Sequence, residues 1–272
     1  MLISDLSQDP YGGRVVLMLY GRPKIGKTTA ILNMVKDKGQ FLYIMSMDKG
    51  TMKVRQNPKS YQGKMVVAYP NDLREIRVDL SAMKERITKL VGKVGSAKVW
   101  MVVDTVTHMQ DILLTESRKI DVNNPSFKNN ERRQQDAGDA YLRDMGTRVD
   151  FMVNIGHMTE VGSAVLSMPC NVIFVALEKA DKDRKDRPTM APRLSGQSYG
   201  KYMGDVDAIL RMDMAGENER IFQCMPTPDF EAGDRSGRLQ ATEPADLVAI
   251  REKMLFQESK SEEVSGTTAP PQ

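Results

Sequence analysis

Gly21-Arg22-Pro23-Lys24-Ile25-Gly26-Lys27-Thr28 fits G-x-x-x-x-G-K-[ST] without a gap, and a second threonine, Thr29, follows. Two glycines let a backbone curl around an anion, so that successive amide groups point at one centre. A lysine after the second glycine is placed to reach the β and γ phosphates of a nucleotide. The hydroxyl of Thr28 is placed to face a Mg2+ ion. Residues 21–29 are therefore read as the nucleotide-binding stretch. The second half of such a site is a carboxylate at the C-terminal end of a buried strand. Asp104 supplies one directly after the apolar run Trp100 to Val103. It is read as the partner of Thr28 at the metal, the alternative being a cap for the helix that follows.

These residues need elements to hold them. "RVVLMLY", Arg14 to Tyr20, reads as a strand buried on both faces. "TTAILNMVKDK" has helical spacing, with Ile31, Met34 and Val35 on one side and Gly39 as the stop. Strand, loop and helix thus occur in the order that a phosphate loop requires. A second strand is expected at Phe41 to Met47 and a third in "KMVVAYP", ending at Pro70. A helix with Leu73, Ile76, Leu80, Met83, Ile87 and Leu90 on its apolar side should close near Gly92 or Gly95. The Asp104 strand comes next, then a polar stretch at 118–135, helix to about Leu166, and a buried strand in "CNVIFVALEK". Residues 179–201 read as a second polar excursion. "DVDAILRM" and "RIFQCMP" are candidate strands of a terminal hairpin. The pattern implies an α/β fold with a mostly parallel central sheet flanked by helices. It fills residues 1–256 as one domain, with 257–272 as a flexible tail poor in core-forming residues.

Composition narrows the reading further. The 272 residues carry a net charge of only +3, so any nucleic-acid contact must come from local clusters. Cys170 and Cys224 lack metal-ligand spacing and read as buried reduced thiols. His108 and His157 have no zinc-site spacing, and the 20 methionines read mainly as adaptable packing. No apolar run reaches membrane-spanning length, which makes a soluble cytoplasmic protein the expectation and a membrane partner not expected.

The order of "GRPKIGKTT", "VWMVVDTVTHM", "NVIFVALEK", "RLSGQSYGKYMGDVDAILRM" and "DRSGRLQATEPADLVAIREKM" resembles RecA-like P-loop ATPases. The nearer likeness is to a phage-encoded AAA-type family that includes Sak4-like single-strand annealing proteins. It spans most of residues 12–256. The resemblance implies a Mg2+-dependent ATPase that binds ATP and forms homo-oligomers. It implies action on single-stranded DNA in phage recombination, annealing or replication, in the cytoplasm of an infected bacterium. Members of this kind usually carry a Glu at the end of the second strand to orient the attacking water. Here Asp48 is the nearest acid, one methylene shorter. Where a polar residue often senses the γ phosphate, this chain has Glu178, whose charge suits water or a partner arginine. Lys27, Asp48, Asp104 and Glu178 form the expected catalytic set. A basic residue from a neighbouring subunit is expected to complete the site, with Lys201 first, Arg193 second, and Arg235 and Arg238 as further candidates.

Residues 179–201 hold seven basic side chains against three aspartates, and Tyr199 and Tyr202 could serve as stacking platforms. The stretch at 118–135 adds Arg118, Lys119, Lys128, Arg132, Arg133 and Phe127. Both read as single-stranded DNA contacts, the alternative being solvated mixed-charge loops. Other functional readings stay open. They are a regulatory or packaging-associated ATPase without annealing, a nucleotide-gated binding protein without catalysis, and a small-molecule or nucleotide kinase with residues 182–193 as its lid.

Overall fold

The computed structural model describes residues 13–48, 61, 63–119, 148–182, 187–194, 197–216 and 219–255. Residues 120–135, 183–186 and the expected tail at 257–272 lie outside them. With them go the readings placed on Phe127, Lys128, Arg132, Arg133, Arg184 and Lys185, and on the side chains of Arg118 and Lys119.

Strand β1 (Val16–Gly21) runs into the loop and then helix α1 (Lys27–Lys38), which ends at Gly39 in the left-handed region. β2 (Phe41–Ser46) and β3 (Met65–Ala68) follow. Helix α2 (Leu73–Val94) is opened by the Asp72 carboxylate, which accepts from the Glu75 amide, and it closes at Gly95. β4 (Val99–Asp104), α3 (Val106–Lys119), α4 (Arg148–Leu166) and β5 (Asn171–Lys182) come next. The chain continues through β6 (Pro188–Pro192), α5 (Gln197–Asp205), β7 (Ala208–Ala215) and β8 (Glu219–Gln223). β9 (Gly233–Asp234), β10 (Thr242–Pro244) and α6 (Leu247–Leu255) complete it.

The sheet order is β10-β8-β7-β1-β5-β4-β2-β3, with β6 on β5 and β9 on β7. Every pair from β7 across to β3 is parallel, and the antiparallel pairs are confined to β8, β10, β6 and β9. This is the expected mostly parallel α/β sheet. Side chains alternate between two cores. Met18, Tyr20, Met101, Val103 and Phe174 face α2, α3, α4 and α5. Leu17, Leu19, Trp100, Val102 and Ile173 face α1 and α6. Both faces are therefore dry, which explains why the central strands are continuous apolar runs. Cys170 and Cys224 are free and buried in opposite cores, and burial pushes each thiol up to about 12.

One expectation fails. In its described residues, the stretch from 179 onward is not an irregular excursion. β5 continues to Lys182 and folds back through β6, pairing Glu178 with Pro192 and Lys182 with Pro188. Gly21 aligns with Leu177, so this hairpin rises beyond the sheet edge from which the phosphate loop leaves. Among the described residues, Asp181 and Lys182 are exposed positions on the first strand of this two-stranded ribbon. Helix α5 follows it.

Candidate functional site

The loop between β1 and α1 is shaped by its own lysine. Lys27 is 7% exposed, and its ammonium group donates to the Gly21 carbonyl at 2.7 Å and the Arg22 carbonyl at 2.9 Å. Its burial lowers the ammonium pKa, while the charges of Asp104, Glu178 and Asp48 pull the other way. Gly21 is required where it stands, because a Cβ there would lie 2.8 Å from the Met212 carbonyl of β7. Gly26 has φ 113° and caps α1 without any side-chain bond. The first turn of α1 carries no acidic residue. The helix N-terminus thus has neither a side-chain cap at Gly26 nor an acid in its first turn, which is a setting an anion suits.

Asp104 stands across from this loop at the end of β4. It is 2% exposed, and its Oδ2 accepts from the Thr28 hydroxyl at 2.9 Å. Burial, then the charge of Asp48, raises its carboxyl to about 6, against the opposing pull of the Thr28 bond and Lys27. The capping role weighed for Asp104 belongs to its neighbour, because the Thr105 hydroxyl accepts from the His108 amide at 3.1 Å. Asp48 is drawn to the same place by backbone. The Met47 amide donates to the Asp104 carbonyl at 2.7 Å, and the Ser46 hydroxyl donates to the Asp48 carbonyl at 2.6 Å. The Asp48 carboxylate is about one-third exposed and lies 3.8 Å from His108 Nδ1. Hydroxyl and carboxylate oxygens at the mouth of a glycine loop are the hard donor set that suits Mg2+, and the loop and Lys27 suit a polyphosphate.

Glu178 comes to the same edge from β5. Its side chain is 3% exposed, and Oε1 accepts from Arg211 Nε at 2.7 Å. Among the described residues, Oε2 accepts no hydrogen bond; it lies 3.8 Å from Arg22 Nε. The partner arginine that its charge called for is thus in the same chain. Arg211 is held in turn by Asp213 at 2.7 Å and Gln223 at 2.6 Å. So Lys27, Thr28, Asp48, Asp104 and Glu178 converge, as do the loop residues 21–29.

Other expected residues do not. Tyr202 is 3% exposed, donates to the Met158 carbonyl at 2.9 Å and packs edge-on against Phe174. It cannot stack on a base, because its ring belongs to the core. Tyr199 is half-buried under the Lys179 ammonium, 5.8 Å from the ring centre. Lys201 and Arg193 are exposed. The guanidinium groups of Arg235 and Arg238 donate to the Gly204 and Met254 carbonyls of the same chain. Residues 188–192 of the lid expected in a kinase are a paired strand, with Thr189 and Ala191 buried.

Two features escaped the sequence. Thr107 joins α3 to the hairpin: its hydroxyl donates to the Arg193 carbonyl at 3.0 Å and accepts from the Leu177 amide at 3.0 Å. Arg220 of β8 lies against the phosphate loop, its Nε donating to the Ile25 carbonyl at 2.8 Å. Thr107 lies within the Walker B segment around Asp104, whose pattern assigns it no role, and no motif marks Arg220.

Residues 14–236 match the sequence profile of a family described as an AAA domain. No curated protein matches the chain. Among solved structures, the crystal structure of the RadB recombinase is similar at 16% identity and a TM-score of 0.43, covering 78% of this chain and 80% of that one. Among the described residues, no helix is long and apolar enough to cross a membrane.

Proposed function

The chain belongs to the AAA-domain family of nucleotide-binding ATPases, and we propose that it is a Mg2+-dependent ATPase acting on single-stranded DNA in phage recombination, annealing or replication. The observation that carries the ATPase reading is the Thr28–Asp104 bond of 2.9 Å, made across the chain at the mouth of a complete phosphate loop. Thr28 and Asp104 would hold the Mg2+, which when bound neutralises charge on the phosphate oxygens. Lys27 would exchange the Gly21 and Arg22 carbonyls for phosphate oxygens. The amides from Gly26 to Thr29 would hold the remaining charge. Asp48 would orient a water and take its proton as the oxygen bonds to the γ phosphorus and ADP leaves.

The DNA reading rests on where the β5–β6 hairpin rises. It leaves the same sheet edge, and Thr107 ties its base to the helix that begins two residues after Asp104. A change at the phosphates would reach the hairpin through that bond. Lys179, Lys182 and Arg187 on the ribbon would follow a DNA backbone, and a neighbouring subunit would add Lys201 or Arg193 to the nucleotide. The test has two arms. Calorimetry should show Mg-ATP binding by the wild type and its loss in Lys27→Ala. Unchanged affinity in that variant would sink the nucleotide site. Fluorescence anisotropy with a labelled oligonucleotide should show binding that changes with Mg-ATP. No binding at low salt in any nucleotide state would remove DNA and leave the ATPase.

A further inference from the structure

Arg220 is 195 positions from the phosphate loop in sequence, yet it covers part of it. A Cβ built on Gly26 would lie 2.3 Å from Arg220 Nε, 2.9 Å from Cδ and 3.0 Å from Cζ. The guanidinium therefore sits directly on the second loop glycine. That glycine is needed twice, for its positive φ and for the space this side chain takes. The position is set by tertiary pairing. Arg220 faces Met214 in the β7–β8 ladder, and β7 also presents the Met212 carbonyl to Gly21. One antiparallel pair thus backs both glycines of the loop.

Among the described residues, the charge of Arg220 is not spent on an acid. Its Nε donates to the Ile25 carbonyl, and among the described residues no carboxylate pairs with it. It is exposed, so its two terminal nitrogens remain available for a ligand. The other loop arginine, Arg22, lies toward Glu178. Arg220 stands at the Ile25–Gly26 end instead. A planar guanidinium with free terminal donors suits phosphate oxygens.

We propose that Arg220 is a nucleotide-contacting residue, a cation supplied in cis to the polyphosphate held by residues 21–29. This rests on the nucleotide-binding reading above. The role is binding, and it predicts that charge at position 220 matters more than the bond to Ile25.

Isothermal titration of the full chain with AMP, ADP and Mg-ATP tests this, with nucleotide-free urea denaturation alongside. Arg220→Gln should weaken ADP and Mg-ATP by about tenfold each, with AMP less affected. Arg220→Lys should recover most of that loss, and the urea midpoints of both variants should stay at the wild-type value. ADP and Mg-ATP constants unchanged in R220Q would overturn the proposal. So would equal losses in R220Q and R220K accompanied by lowered midpoints, because that pattern marks a prop for the loop. Wild-type chain that binds no nucleotide would fell the underlying reading and this one together. Wild-type binding with an indifferent R220Q would fell this one alone.

Discussion

Asp104 and Glu178 stand at the edge of one sheet, on the neighbouring strands β4 and β5, and both are nearly sealed from water. Their surroundings differ in kind. Glu178 meets the Arg211 guanidinium at 2.7 Å, and that arginine is itself fixed by Asp213 and Gln223. Asp104 has a threonine hydroxyl and a second acid, Asp48, nearby, and its carboxyl rises to about 6. A buried acid with its cation built in belongs to the folded frame. Asp104 has no such ion pair among the described residues, only the more distant charge of Lys27; on the reading proposed above, it would meet a cation that arrives with the ligand.

The comparison breaks most readily at Arg211, which is 6% exposed. Arg211→Met removes the cation and leaves Glu178 buried with its charge. We expect a loss of about 3–5 kcal/mol of stability by urea denaturation. Adding Glu178→Leu should return most of it, because the cost lies in the unpaired charge. A single R211M variant as stable as wild type would mean that Glu178 is not held by this pair.

Asp104→Asn should act in the opposite sense on stability and strongly on chemistry. Phosphate release should fall by roughly 10²–10³-fold, the scale of losing one organising group at a developing charge. The nucleotide-free protein should gain stability at pH 8. The sign follows from the shift. The ordinary carboxyl value is 3.8, and the folded protein raises it to about 6. Between these values the folded state binds more protons than the unfolded one, so stability declines as pH rises through that window. Above it, the ionised Asp104 costs on the order of 3 kcal/mol, and the asparagine avoids that cost. The gain should vanish below pH 4. A D104N variant that is less stable at pH 8 without nucleotide would contradict the reading of Asp104 as an acid whose burial outweighs the help of Thr28 and Lys27.

The two halves of this edge were unequally legible in the sequence. The loop, Thr28 and Asp104 could be read because strand burial and helix periodicity are local, and the motif has fixed spacing. Asp48 could be placed by its position after β2. The Glu178–Arg211 pair joins β5 to β7, which are separated in the sheet by β1, so no spacing along the chain encodes it. β6 begins and ends in proline, and its pairing partner is a charged strand extension, so composition favoured a loop. Tyr199 and Tyr202 stood among basic residues and looked like a stacking surface. In a helix their three-residue spacing puts them on one side, and that side packs toward the core. Arg220 lies on a short strand with no motif, and only the β7–β8 pairing brings it to Gly26.

The smallest effect sharpens the comparison by dividing the two arginines that approach Glu178. Arg22 Nε is 3.8 Å from Glu178 Oε2, but its side chain is 68% exposed. An exposed ion pair is screened by water and must order a long side chain, so it contributes about 0–1 kcal/mol. Arg211 makes a shorter bond from within the sheet and leaves Glu178 compensated without help. Arg22→Ala should therefore shift nucleotide-free stability by less than about 0.5 kcal/mol in urea, at low and high salt alike. The measurement is made without nucleotide because Arg22 belongs to the loop, and a ligand would add contacts of its own. A loss approaching that of Arg211→Met would show that the charge of Glu178 is shared between loop and sheet. The paired acid would then be coupled to the phosphate loop even before a nucleotide binds, and Glu178 would stand nearer to Asp104 in kind than its burial beside Arg211 implies.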